Sequence, residues 1–176
     1  MIETRAGVAL SAIDGNSPGS VDLTLLEAVG ALRRRAWATR GVSLESLTDA
    51  LDWRALHILG HRDGELVAAA RLSVHAPEDA LPDGLSSAEL PGALRIGVLT
   101  RLVVDPRERD LGLAEALDRI RIEFAIVSGC THLLACTSAQ SRPGALRARG
   151  FEPLRATRSE VTGLPGVILA MRLGRE

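Results

Sequence analysis

The chain has 176 residues, 46% hydrophobic and 24% charged, which suits one domain with a real core and excludes a disordered chain. A formal net charge of −1 and 2% aromatics, with no tyrosine, offer no basic stripe or stacking platform for nucleic acid and no pull towards an anionic membrane. Cys130 and Cys136 are too few for a disulfide scaffold and lack zinc spacing, residues 1–5 do not resemble a secretion signal, and no apolar run nears the roughly 20 residues that span a bilayer. These observations lead us to expect a single cytoplasmic domain over residues 1–176, with no metal.

Residues 1–13 hold a short apolar alternation (Val8, Leu10) that predicts a strand, stopped by the turn formers 14–19. Thr24-x-x-Glu27 has capping-box spacing, and Leu25, Val29, Leu32 and Ala36 share one helical face. The run Arg33-Arg34-Arg35 cannot lie on one face, so most of it is expected in solvent, with one member available to an acidic substrate or phosphate. Residues 43–53 predict a second, shorter helix, with Leu44, Leu47 and Leu51 in register.

Residues 56–61 and 65–75 read as a hairpin about Asp63-Gly64. His57 and His61 have the spacing of a helical metal pair. In a strand, however, they stand roughly 13 Å apart, which removes that reading. Strict alternation places Leu66, Ala68, Ala70, Leu72 and Val74 on one face, and Val67, Ala69, Arg71 and Ser73 on the other. Arg71 is thus a charge on a small apolar face, set either to snorkel at the strand edge or to line a pocket. Residues 76–93 carry Pro77, Pro82 and Pro91 and predict a long loop of the kind that forms lids and binding loops.

The near-continuous apolar run 94–104 predicts a strand buried on both sides. It leads into Asp105-Pro106-Arg107-Glu108-Arg109-Asp110-Leu111-Gly112-Leu113-Ala114, a turn that opens a helix. A glycine there lets a ligand approach the backbone, and unpartnered helix N-terminal amides favour an anion. Leu113, Leu117, Ile120, Phe124 and Val127 form the helix stripe, closed at Gly129. Leu133 to Cys136 predict a compact strand. Ser141-Arg142-Pro143 opens a short helix that stops at Gly150, and residues 151–154 and 167–173 are the last strands. The order of elements is an α/β arrangement with mixed strand pairing.

Two signatures in this order resemble the GNAT superfamily of CoA-dependent N-acyltransferases. Leu102-Val103-Val104-Asp105-Pro106-x-x-Arg109-x-x-Gly112-x-Ala114 is similar to that family's pyrophosphate motif, and Leu146-Arg147-Ala148-Arg149-Gly150-Phe151 to its short helix ending in Gly-Phe. The resemblance implies a mixed central sheet flanked by helices on both faces, with acetyl-CoA or another acyl-CoA as co-substrate. It further implies backbone contacts from Leu102, Val103 and Val104 to the pantetheine arm. The pyrophosphate would lie on the amides of Arg109, Asp110, Leu111, Gly112, Leu113 and Ala114, with charge from Arg107 and Arg109. The acceptor would be an amine of a small molecule or peptide, and the enzyme a possible homodimer.

Many relatives place a carboxylate on the strand before this turn as base, and a tyrosine on the short C-terminal helix as acid. Here those places hold Thr100 and Arg101, and Leu146. Catalysis would then rest on positioning, with a water chain or the hydroxyls of Thr100, Thr137, Ser138 or Ser141 relaying protons; otherwise the domain binds acyl-CoA without efficient turnover. Cys136 as nucleophile is a third route, against which its apolar strand argues. Thr100-Arg101-Leu102-Val103-Val104, with the arginines near Trp37 and with Arg71, also resembles acyl-homoserine-lactone synthases and N-acyl amino acid synthases. In that case Arg71 and Arg101 bind substrate and the acyl chain is long.

Overall fold

The structure, a computed structural model, describes residues 2–4, 7–38, 47–138, 142–159 and 163–174. It divides into two compact units, Met1–Ser73 with Arg101–Arg121, and Val74–Thr100 with Ile122–Glu176.

The first unit is built on an antiparallel run of β1 (Ile2–Glu3), β2 (Ala9–Asp14), β3 (Leu56–Arg62) and β4 (Glu65–His75, which continues two residues beyond Ser73). The end of β5 (Ile96–Val104) joins it, and Asp105 N donates to Val67 O at 2.8 Å just beyond that strand. The β3–β4 hairpin turns at Asp63 and Gly64 with φ of 50° and 81°, as a tight two-residue turn requires. Gly60 pairs with Ala68 and His61 with Leu66, so Val67 is an extra residue on β4. This bulge breaks the strict alternation expected of the strand. Val67, Ala68 and Ala70 share one core cluster, while Leu66 and Ala69 belong to another.

Helices supply both clusters. α1 (Leu23–Trp37) packs Val29, Leu32 and Ala36 against Leu59, Leu66, Ala69 and Val103. α2 (Leu113–Val127) packs Leu113, Leu117 and Ile120 against Val8, Leu10, Ile58, Val67, Ala68 and Ala70. The cap of α1 is Asp22, whose Oδ1 accepts from Leu25 N at 2.8 Å; Leu23 is already helical, so Thr24 lies inside the first turn and cannot cap it. Of the run expected to lie mostly in solvent, Arg33 is the member that is buried, because it shares a face with Leu26, Val29 and Ala36. Arg34 and Arg35 are exposed.

The helix expected over 43–53 is instead a 3-10 turn, Ala50–Trp53, at its end; residues 43–46 lie outside the described residues. The α2 stripe also departs from expectation at its far end. Phe124 and Val127 are exposed, Val127 by 86%, whereas Asp118, Arg121 and Ala125 are buried.

In the second unit the start of β5 pairs parallel with β6 (His132–Thr137), which pairs antiparallel with β8 (Pro165–Arg172), itself antiparallel to β7 (Glu152–Arg158). Residues 76–93 form no free lid: Leu85 and Leu90 pack on Ile96, Val98, Leu134, Ile168 and Ala170, and Glu89 pairs with Arg155 at 2.6 Å. The short helix α3 (Arg142–Arg147) follows β6. No described helix is long and apolar enough to cross a membrane.

The cap assignment predicts that Asp22→Ala lowers unfolding free energy by about 1 kcal/mol, while Thr24→Ala moves it by less than about 0.5. Urea titration of both variants checks the order of these effects.

Candidate functional site

The turn between β5 and α2 is organised by a buried carboxylate. Asp105 Oδ1 accepts from Arg107 N and Nε, both at 3.0 Å, and its Oδ2 accepts from Arg35 Nε and Arg107 Nη2, both at 3.1 Å. These arginines, Arg107 foremost, hold the Asp105 carboxyl well below the usual carboxylate range. Glu65 takes a further bond from Arg107 Nη2 at 2.7 Å, and Arg62 pairs with Glu108 at 3.1 Å. The Arg107 guanidinium is therefore already shared by two carboxylates, which raise its pKa further.

After the 3-10 turn Pro106–Glu108 the chain makes two left-handed steps, at Asp110 (φ 64°) and Gly112 (φ 72°), and α2 begins. Ala116 N donates to Gly112 O at 3.0 Å, so Leu113, Ala114 and Glu115 are the first-turn residues whose amides have no intrahelical acceptor. A Cβ on Gly112 would meet nothing closer than Glu115 Oε2 at 4.0 Å, so the space above this helix end is open. Arg109 reaches Ala36 O at 3.4 Å. With Arg107 balanced by acids and Arg109 held at the Ala36 carbonyl, the turn offers an anion backbone amides, the helix dipole and the Arg109 guanidinium. Leu102 and Val104 pack against the α2 cluster and Val103 lies within the α1 cluster, which commits their side chains to the core.

The same unit holds a buried ionic network. Arg33, 1% exposed, forks onto Asp52 through Nη1 at 2.8 Å and Nη2 at 2.9 Å, and donates to Leu47 O. Arg71, fully buried, donates to Asp49 and to Asp52 Oδ1 at 3.1 Å. Arg101 donates to Asp49 Oδ2 at 2.8 Å. The two acids form a capping box: Asp49 N donates to Asp52 Oδ2 at 3.1 Å, and Leu51 N to Asp49 Oδ1 at 2.9 Å. Burial would raise both carboxyl pKa values, but the arginines outweigh it and hold both below the usual range. His57 Nε2 lies 2.7 Å from the Asp52 carbonyl oxygen and so carries the proton; its Nδ1 is buried without a hydrogen-bond partner. Burial, foremost, pushes the His57 pKa down. Arg71 and Arg101, expected to touch substrate, are thus brought together on Asp49, and Arg71 does not reach the strand edge.

The second unit carries the hydroxyl candidates. Thr100 is buried on β5, and Thr137 and Ser138 are half-buried at the end of β6. Gly166 of β8 runs so close there that a Cβ would stand 2.8 Å from Thr137 O. Ser141 lies outside the described residues. Leu146, at the place where relatives often carry tyrosine, is 1% exposed beside buried Phe151. Cys136 is half-buried, and burial pushes the Cys130 thiol up to about 11. Among the described residues no group of His, Cys, Asp or Glu is arranged to hold a metal. Asp49 and Asp52 escaped the sequence reading, and Asp105 entered it only as part of the turn, without its role as the acceptor for Arg35 and Arg107. The signal for the first two was their three-residue spacing ahead of a strand, which is that of a capping box.

Residues 26–151 match the family model described as Acetyltransferase (GNAT) family. No curated protein sequence matches significantly. Among solved structures, the ribosomal-protein-S18-alanine N-acetyltransferase of Escherichia coli superposes with a TM-score of 0.65 at 17% identity, over 96% of both chains. An N-acyl amino acid synthase from uncultured soil microbes gives 0.72 at 11% identity, over 94% of this chain and 90% of that one. A chain of the NatC complex bound to Gag peptide and CoA gives 0.66 at 12% identity, over 98% and 100%. At such identities these likenesses are of fold.

Asp52→Asn would leave the buried Arg33 guanidinium without its counter-charge and is predicted to cost about 3–5 kcal/mol of stability by denaturant unfolding. The unfolded chain protonates His57 near pH 6.5, whereas the folded chain resists it. Stability is therefore full above about pH 6.5 and falls as the pH drops below it, and His57→Gln should flatten that slope in a pH series of melting curves.

Proposed function

We propose, since the chain belongs to the acetyltransferase (GNAT) family, that it transfers an acyl group, acetyl in the first instance, from acyl-CoA to a primary amine of a small molecule, amino acid or peptide. The observation that carries the proposal is the open, left-handed turn at Asp110 and Gly112, set on the amides that begin α2. In this reading the amides from Arg109 to Ala114 hold the pyrophosphate by hydrogen bonds to its oxygens. Leu102, Val103 and Val104, with their side chains in the core, present backbone to the pantetheine arm. Asp105 acts indirectly, fixing Arg35 and Arg107 so that the turn keeps its shape.

Bound acyl-CoA supplies an activated thioester carbonyl, which a neutral amine attacks directly in a ternary complex. The C–N bond forms as C–S breaks; the nitrogen gives up a proton and the thiolate gains one. Thr100, Ser138 and Ser141 are the side chains we assign to relay those protons. With no tyrosine in the chain and Leu146 buried, most of the acceleration comes from holding the two reactants together, an effect worth roughly 7–11 kcal/mol at best.

One observation favours a second reading, a long-chain N-acyl amino acid synthase type of reaction. Arg71 and Arg101, which carry that resemblance, meet at one carboxylate although they lie far apart in sequence. Decanoyl-CoA preferred over acetyl-CoA as donor would select it.

Release of free thiol from acetyl-CoA across a panel of amines tests the main proposal. Tight CoA binding by calorimetry with no turnover on any amine would mark a non-catalytic acyl-CoA-binding domain. Absence of any thermal stabilisation by CoA would remove the basis of both. Gly112→Val is expected to weaken CoA at least about tenfold by filling the open space and straining the left-handed turn; unchanged affinity would sink the cradle assignment.

A further inference from the structure

Among the described residues four non-glycine residues have positive φ. Three are aspartates, Asp63, Asp83 and Asp110, all outside strands, and aspartate tolerates this region because its short side chain bonds locally. The fourth is Arg101, with φ of 55°, inside β5. Arginine has no such local remedy, so the conformation persists only where its surroundings impose it.

We infer that Asp49 is a positioning residue for acyl transfer: its carboxylate anchors Arg101 in the left-handed conformation that sets the course of residues 102–104. This rests on the reading that those residues and the following turn hold the acyl donor. The anchor is rigid. Asp49 is fixed by its capping box with Asp52, by Arg71 and by the Leu51 amide, and Asp52 is forked onto Arg33. The 2.8 Å ion pair to this post is made from the left-handed backbone, and an extended φ would re-aim the Arg101 side chain relative to it. The next residues feel the choice directly. Leu102 and Val104 turn to the α2 cluster and Val103 to the α1 cluster. A change of φ at 101 re-aims every peptide group between it and the Asp105 turn.

The test uses Asp49→Ala and the near-isosteric Asp49→Asn, each alone and combined with Arg101→Gly, since glycine adopts positive φ without an anchor. Calorimetric CoA affinity is the first readout. The single Asp49 variants should bind CoA about tenfold more weakly, and the double variants should recover most of that loss. Arg101→Ala in the Asp49 background is the control. It also removes the charge left unpaired but keeps the penalty of a side chain at positive φ, so it should not recover the loss. A merely structural role would be rescued by both replacements. The second readout is the amide–Hα coupling of residue 101 by NMR, which reports φ without any ligand. It should change to an extended value in Asp49→Asn and return in the glycine double variant. Wild-type affinity in the single variants, an unchanged coupling, a glycine double variant as weak as the single, or an alanine double variant that recovers as well would each overturn the inference. A wild-type protein that ignores CoA while its coupling responds to Asp49 would instead fault the donor-site reading.

Discussion

Two carboxylates three residues apart, Asp49 and Asp52, hold arginines from three elements: Arg33 of α1, Arg71 of β4 and Arg101 of β5. Such a network adds little net stability, because each charge loses its hydration on burial. Its effect is on position. Once the acids are locked into a capping box, the guanidinia are gathered at one place, and α1, β4 and β5 are tied to a single short turn. Removing one member leaves the others buried and uncompensated, which makes the arrangement close to all-or-none.

The turn after β5 uses the same chemistry to a different end. Asp105 gathers Arg35 and Arg107, Glu65 pairs with the same two arginines, and Glu108 balances Arg62. Positive side chains near an anion site would ordinarily be read as the binding groups. Here Arg35, Arg62 and Arg107 are spent on holding the loop, and on the proposed reading what remains for a phosphate is Arg109 and the amides at the start of α2, beside the left-handed Asp110 and Gly112. Binding of that kind is short-range and shaped by backbone geometry, so it discriminates by fit more than by charge.

How far the sequence could be read follows from where the information lies. The Asp63-Gly64 hairpin, the Leu113–Leu117–Ile120 stripe and the Gly112 turn are local patterns, and each appears where its spacing places it. The bulge at Val67 is a property of a pair of strands, and one strand's alternation cannot register it. Arg33, Arg71 and Arg101 look like surface or ligand-binding charges in sequence, because the acids that neutralise them lie 19, 22 and 52 positions away. Phe124 and Val127 fit a helical stripe that the core stops using after Ile120.

The separation of holding from proton chemistry has a consequence for rate. On the proposed reading Leu146, a buried hydrocarbon, stands where a tyrosine acid is expected, and the chain has no tyrosine to substitute elsewhere. A hydroxyl such as that of Ser138 is a weak acid and a weak base, so it can pass a proton along but not drive its transfer. In the proposed transfer, acceleration then comes from the geometry in which amine and thioester meet, and effective molarity falls steeply with small misplacements. An enzyme of this type depends more on the stiffness of its donor strand than one with a strong base does. If residues 102–104 and the following turn hold the donor as proposed, the functional weight falls on the bend at Arg101 and on the Asp105 turn, which bracket the segment between them.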